Sequence, residues 1–371
     1  MSPICISDDA MRRALALRDL TDPDHGPHAL QLILQDAIAA LLTAWGCPLR
    51  LRRHRPVVSI ADNYDCLHYP PDGAARQARY TRYVTATTLL RTQTSAMIPG
   101  ALRELAIAPC PQVLLACPGL TYRRDAIDAL HCAEPHQVDL WRISQGVPLG
   151  LAELQVMART VVEAVAPGRD WRMTPTEHPY TLQGHQLDVL VAGDWIEIGE
   201  CGLALPQLLQ DCHLEVPPTS GLAMGLGLDR LLMLRKGVPD IRLLRSPDPR
   251  VVAQMLDLQP YRPVSCMPPM TRDLSLVLDG LTDAELLGDA IREALGERAN
   301  WVEQVSVLAQ VPCEQLPANA QARLGILPGQ LNAVVRVVLR DLERTLTVAE
   351  GNRARDDLYA RLHRGTRWEW I

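Results

Sequence analysis

Three stretches of this chain carry residue types that handle charge in pairs. The first is Leu90-Arg91-Thr92-Gln93-Thr94-Ser95. The second is Tyr122-Arg123-Arg124-Asp125-Ala126-Ile127-Asp128, which runs on to His131 and to His136-Gln137-Val138-Asp139. The third is Trp195-Ile196-Glu197-Ile198-Gly199-Glu200-Cys201-Gly202, followed by Gly221-Leu222-Ala223-Met224-Gly225-Leu226-Gly227-Leu228-Asp229-Arg230. Fixed arginines suit the attack of a carboxylate on the α-phosphorus of ATP, because charge builds on phosphate oxygens and a guanidinium grips two of them without losing its proton. A carboxylate such as Glu197 suits a Mg²⁺ ion bridging phosphates. Glycines at 225 and 227 let a nucleotide lie against the backbone. Taken singly, each stretch has a plainer reading: Arg-Arg-Asp as a solvated turn, the glycine strand as a sheet bend, Glu197 as an exposed strand residue.

The elements that would position these residues are legible from periodicity. Apolar residues Leu30, Ile33, Leu34, Ile38, Leu41, Leu42 and Trp45 share one helical face, so residues 21–46 read as a helix capped near Asp24, with Pro27 in its first turn and Gly46 as its stop. Val113–Cys117 and Leu140–Ile143 read as strands, and Arg123 is expected on a strand. Leu187–Val191 and Trp195–Ile198 read as a hairpin joined by Ala-Gly-Asp. Residues 221–228 form a glycine-spaced strand that gives way to a helix ending near Gly237. The proline-rich stretch Leu258–Pro269 suggests a boundary, giving domains 1–258 and 259–371. Beyond it the order is strand, helix (Ala284–Leu295), two strands (Val302–Val311 and Leu331–Leu339) and helix (Val348–Leu362), which suits a split βαβ sandwich. The fold class expected is α+β, an antiparallel sheet with helices to one side plus this smaller domain.

Composition narrows the function classes. The chain has 371 residues and a net charge of −6, so bulk charge neither announces nor excludes nucleic-acid binding. No apolar run is long enough for a transmembrane helix, and the first residues do not read as a targeting peptide. Ten scattered cysteines without a C-x-x-C pair fit a reducing cytoplasm and no zinc knuckle. A looser group of His131, Cys132, His136 and Cys201 is the one candidate for zinc. Lys236 is the only lysine, which leaves no room for a lysine-rich nucleotide motif to partner His25-Gly26-Pro27-His28. Phenylalanine is absent altogether, where about ten or more are ordinary for this length.

In this order the three stretches resemble the ATP-binding motifs of class II aminoacyl-tRNA synthetases, and specifically the single-chain, organellar-type phenylalanyl-tRNA synthetase. Pro268-Pro269-Met270-Thr271-Arg272-Asp273-Leu274 and Arg340-Asp341-Leu342-Glu343-Arg344-Thr345-Leu346-Thr347 resemble its ferredoxin-like anticodon-binding domain. The resemblance covers roughly residues 20–371. It implies a monomeric ligase that uses ATP and Mg²⁺ to make an aminoacyl adenylate and passes it to tRNA. Arg123 would meet the α-phosphate and Arg230 the γ-phosphate or adenine end. Arg124, Gly225, Gly227 and Asp229 would complete the ATP site. Glu197, with Asp139, would hold Mg²⁺ or the α-amino group. Gln93, Ser95, Gln137 and Asp139 would bind the amino acid's polar ends, and Ala223 would floor its side-chain pocket. Arg353, Arg355, Arg361 and Arg364 would reach tRNA.

The departures lie on the amino-acid side. The segment that in the family holds two phenylalanines reads His178-Pro179-Tyr180 here, and a family glycine is Glu200. Pro135 and Met224 stand at two further phenylalanine positions. A slot that gains His178, Tyr180 and Glu200 should favour a polar or cationic group over a phenyl ring. A rival explanation is selection against phenylalanine codons in an enzyme that works when charged phenylalanine tRNA is scarce. Two further readings compete with a synthetase: a tRNA-independent ligase that passes the adenylate to a small molecule or protein, and a non-catalytic tRNA-binding or regulatory paralogue.

Overall fold

The computed structural model describes residues 5–78, 80–124, 126, 128–264 and 267–367. The chain divides into two compact units. The first comprises Met1–Arg123, Glu134–Pro239 and Ala253–Tyr261, and the second Arg124–Ala133, Asp240–Val252 and Arg262–Ile371. Asp125 and Ile127 of the arginine stretch lie outside the described residues.

The first unit begins with α1 (Asp8–Leu15) and α2 (Ala29–Trp45). Leu30, Ile33, Leu34, Ala37, Ile38 and Leu41 are buried along one face of α2, at the 3–4 residue spacing that its pattern requires. Each large side chain among them contributes about 1.5–3 kcal/mol of burial. Gly46 ends α2 in the left-handed conformation (φ +59°) and donates its N–H to the Leu42 carbonyl. The start differs from the expected helix at 21–46. Asp22, not Asp24, caps a separate short turn at Pro23–His25; Gly26 (φ +99°) then redirects the chain; and the His28 ring caps α2 by accepting from the Leu30 N–H at 3.1 Å. Only a residue tolerant of positive φ can make that break, and it leaves Pro27 outside the helix.

Next come β1 (Leu49–Leu51), β2 (Val57–Ser59), β3 (Thr88–Leu90), α3 (Ile98–Ile107), β4 (Gln112–Leu120), β5 (His136–Gln145) and α4 (Leu151–Val165). They are followed by β6 (Trp171–Pro175), β7 (Thr181–Val191), β8 (Asp194–Ala204), α5 (Pro206–Asp211), β9 (Thr219–Gly227) and α6 (Leu228–Lys236). Seven strands form one sheet in the order β1-β4-β5-β9-β8-β7-β6, antiparallel except for the β1–β4 pair. The β7–β8 hairpin turns through Ala192 (φ +53°) and Gly193 (φ +99°), the positive-φ pair that matches strand twist. This is the mixed α+β, mostly antiparallel architecture expected from the sequence. Lys236 is fully buried at the end of α6, where its ammonium donates to the carbonyls of Asp257 (2.8 Å) and Gln259 (2.6 Å) and to the Asp257 carboxylate.

After α7 (Pro249–Gln254), the second unit holds β10 (Met270–Leu278), α8 (Ala284–Leu295), β11 (Val302–Pro312), α9 (Ala318–Leu324), β12 (Leu331–Leu339) and α10 (Val348–Leu362). β12 lies between β10 and β11 and is antiparallel to both. Leu274, Leu276, Ile291, Val335, Val337 and Leu358 are among the side chains of its own separate core.

Candidate active site

Strand register collects the singled-out residues on one face of the large sheet. Gly225 lies opposite both Asp139 and Glu200, Gly227 opposite Gln137, and Ala223 opposite Trp141 and Gly202. Residues directly opposite in a ladder point to the same side, and so do residues two apart along one strand. Gln137, Asp139, Trp141, Ala223, Gly225, Gly227 and Glu200 therefore share a face. A methyl group built on Gly225 would meet no atom within 4 Å, and one on Gly227 only the Ile198 carbonyl at 4.0 Å. By contrast, one on Gly199, on the opposite face, would lie 2.2 Å from the Gly225 carbonyl. Gly199 is thus demanded by the protein's own packing, whereas Gly225 and Gly227 leave space above the strand.

Arginines flank one end of this space. Arg230 is the third residue of α6 and donates to the Glu197 carbonyl at 2.9 Å. Glu197 is half-buried. Burial raises its pKa and Glu200 adds to the rise, while Arg230 and Arg123 oppose it. Arg123, expected on a strand, instead follows the end of β4 in a segment without regular secondary structure and is exposed. The segment is pinned by neighbours: Thr121 N–H to the Pro135 carbonyl, Tyr122 N–H to the Arg91 carbonyl, and the Tyr122 hydroxyl to the Ala14 carbonyl. Arg91 is itself buried and spends its guanidinium on the Leu120 and His54 carbonyls, a structural role.

Two of the residues expected at ATP have partners within the protein. Asp229 is buried, and its carboxylate faces inward, accepting the backbone N–H of His136 and lying 2.9 Å from His136 Nδ1. His136 Nε2 accepts from the Leu20 N–H at 3.0 Å, so the ring proton belongs on Nδ1 and points to Asp229. Asp229 therefore ties α6, and Arg230 with it, to β5. Arg124 belongs to the second unit and pairs with Asp289 of α8 at 3.3 Å, so a carboxylate already claims it. The zinc grouping is not assembled: among the described residues no cluster of three or more His, Cys, Asp or Glu could hold a metal ion, and His131 pairs with Asp128. Glu197 would hold Mg²⁺ only together with phosphate oxygens and water, the usual situation for that ion.

The amino-acid side is a buried polar network against aromatic rings. Asp139 accepts from Thr94 Oγ1 (2.7 Å), Ser95 Oγ (3.0 Å) and Trp141 Nε1 (3.0 Å). Burial raises its pKa against these donors. Tyr69 donates to Gln93 Oε1 at 2.8 Å, Gln93 Nε2 donates to the Asn63 carbonyl, and burial pushes the Tyr69 hydroxyl to about 12. Tyr180 lies 6.1 Å from Trp141, 6.3 Å from Tyr69 and 6.1 Å from His178, ring to ring. Burial raises the Tyr180 pKa well above the ordinary tyrosine value. His178 Nε2 stands 2.9 Å from Glu200 Oε2, close enough for charge pairing but off-line for a hydrogen bond. The groups expected to select a cationic side chain thus face each other. Tyr69 and Trp141 were not singled out from the sequence, and Thr94 only as part of its stretch. Trp141 was accessible to it, two residues beyond Asp139 on a period-2 strand; Tyr69 sits in an irregular segment with no such signal.

The arginines expected to reach tRNA lie on or just beyond α10. Arg353, Arg361 and Arg364 are exposed. Arg355 pairs with Asp356 at 2.7 Å, and Asp357 with Arg298 at 2.6 Å, so the helix is not an uninterrupted basic stripe.

Relatives include the phenylalanine–tRNA ligase alpha subunit of Prochlorococcus marinus (strain MIT 9313), 36% identical over 192 residues covering 52% of this chain and 56% of that protein. The chain thus spans about half the length of such subunits. The chloroplastic/mitochondrial phenylalanine–tRNA ligase of Arabidopsis thaliana is 28% identical over 330 residues, covering 83% of this chain and 70% of its own. Among solved structures, pyrrolysyl-tRNA synthetase from Desulfitobacterium hafniense aligns with a TM-score of 0.46 and 20% identity over 61% of this chain and 76% of that one. No helix among the described residues is long and apolar enough to cross a membrane. Residues 29–255 match the family described as "tRNA synthetases class II core domain (F)", and the chain belongs to that family of class II synthetase cores.

Proposed function

We propose that this protein activates an amino acid with ATP, forming an aminoacyl adenylate and pyrophosphate, with a side-chain preference other than phenylalanine. The observation that carries the reading is the placement of Arg123 and Arg230 about Glu197, beside a glycine strand with open space above it. The amino acid's carboxylate oxygen attacks the α-phosphorus, and the bond to the bridging oxygen of pyrophosphate breaks. Arg123 offsets charge at the α-phosphate and Arg230, held by the Glu197 carbonyl, at the far phosphate. Mg²⁺, held by Glu197, would screen the phosphates. Asp139, Ser95, Gln93 and Gln137 orient the amino acid. ATP–pyrophosphate exchange across the common amino acids tests this: one amino acid should support exchange, and Arg230→Ala should abolish it without loss of fold. Absence of exchange with every amino acid would refute it.

We assign residues 1–258 to catalysis and 259–371 to a ferredoxin-like, anticodon-binding-type domain, with tRNA as the acceptor and the monomer as the working form. The acids interleaved on α10 favour a second reading, in which the adenylate passes to a small molecule or a protein. Binding of total tRNA at low salt separates the two, since phosphate contacts are strongest there.

A further inference from the structure

The open space above β9 ends abruptly, and from that we infer that the site takes an amino acid with a small side chain, of the size of glycine, alanine or serine, with the Tyr180–Trp141 stack setting the limit. This rests on the adenylation reading and sharpens it.

Three rows cross the face, two residues apart along β9. The Gly227 and Gly225 positions are open, as their built methyl groups show. The Ala223 row is not. A methyl group on its member Gly202 would fall 2.7 Å from Thr181, Ala223 is buried, and Trp141 is fully buried. Trp141 packs in the core with Ala223, and Tyr180 packs against them. Tyr69 backs Tyr180 and stands edge-on to Tyr64 at 5.4 Å, so the wall has rings behind it and cannot fold away.

The arginines fix the phosphate end at the Gly227 side, which brings the substrate's α-carbon over the Asp139–Gly225–Glu200 row. From there to the wall is one row, roughly 7 Å. Contact distance takes about 4 Å of it, leaving length for about two heavy atoms. A phenyl ring needs about twice that. A long cationic chain fares no better, because Glu200 already faces His178, and the Asp139 oxygens already accept three side-chain donors.

The test uses the non-hydrolysable sulfamoyl-adenosine analogues of glycine, alanine, phenylalanine and lysine, titrated by calorimetry into the full chain. The expected result is that the glycyl or alanyl analogue binds on the order of 10²-fold more tightly than the phenylalanyl one. Trp141→Ala should narrow that ratio at least ~10-fold by a gain for the phenylalanyl analogue. If Trp141→Ala fails to fold by circular dichroism, Tyr180→Ala is the second variant, and the wild-type ranking decides by itself. A wild-type preference for the phenylalanyl or lysyl analogue overturns the size limit while leaving adenylation standing. Binding of ATP but of none of the four analogues overturns both.

Discussion

The Asp229–His136 contact gives the sharpest stability test. In Asp229→Ala, two buried donors lose their acceptor, the His136 backbone N–H and the His136 ring N–H. His136 is fully buried and Asp229 nearly so, so water cannot replace the carboxylate without opening the β5–α6 junction. Each orphaned donor costs about 1–3 kcal/mol, and relief of the buried charge returns part of that, which leaves about 3 kcal/mol. The ring cannot escape by turning its proton to Nε2, because Nε2 already accepts from Leu20. For a unit of this size the loss corresponds to a fall in melting temperature of roughly 6–12 °C. Asp229→Asn keeps one acceptor oxygen and places an NH₂ against the other donor, so it should fall between. Urea unfolding followed by tryptophan fluorescence reads both variants. A change under about 0.5 kcal/mol in Asp229→Ala at unchanged m-value would refute the assignment of Asp229 as the tie between α6 and β5.

Further outcomes follow from the same geometry. Gly225→Ala should unfold like the wild type yet raise the KM for ATP ~10-fold or more, because the new methyl meets only the ligand's space, while Gly199→Ala should fail to fold stably because it meets the Gly225 carbonyl; equal melting temperatures for the two would defeat this contrast. Because burial and Glu200 raise the Glu197 pKa, exchange activity should fall on acidification at a pH above the ordinary glutamate value of about 4.3, and Glu197→Gln should remove that limb. The raised pKa also means that Glu197's contribution to folding is present at acid pH and is lost as pH rises through the folded-state value, so Glu197→Gln should flatten stability in that window. Lys236→Met should lower the melting temperature by roughly 5 °C or more, mainly by releasing the Asp257 and Gln259 carbonyls, since the Asp257 carboxylate is exposed and its pairing is worth little. An unchanged melting temperature would show that the buried lysine holds nothing.

Patterns with a short period were readable from the sequence alone. Most of helix α2, the β7–β8 hairpin and the β9–α6 junction follow from apolar spacing and from glycines at the stops, which are local properties of the chain, whereas α9, between β11 and β12, was not among the elements read from the sequence. The residue types proposed for the phosphate end were legible too, because arginine and carboxylate chemistry shows in composition and order. What the sequence could not supply was direction. Asp229 sits in the same motif as Arg230, yet one turns into the core and the other toward Glu197, and only the packing of α6 on β5 decides which. Arg124 follows Arg123 directly, yet Asp289, distant in sequence, claims it. The size limit at Trp141 likewise needed tertiary structure: the alternation puts Trp141 on the same face as Asp139, but Tyr180 and Tyr69 come from other segments, and a wall exists only where the fold stacks them.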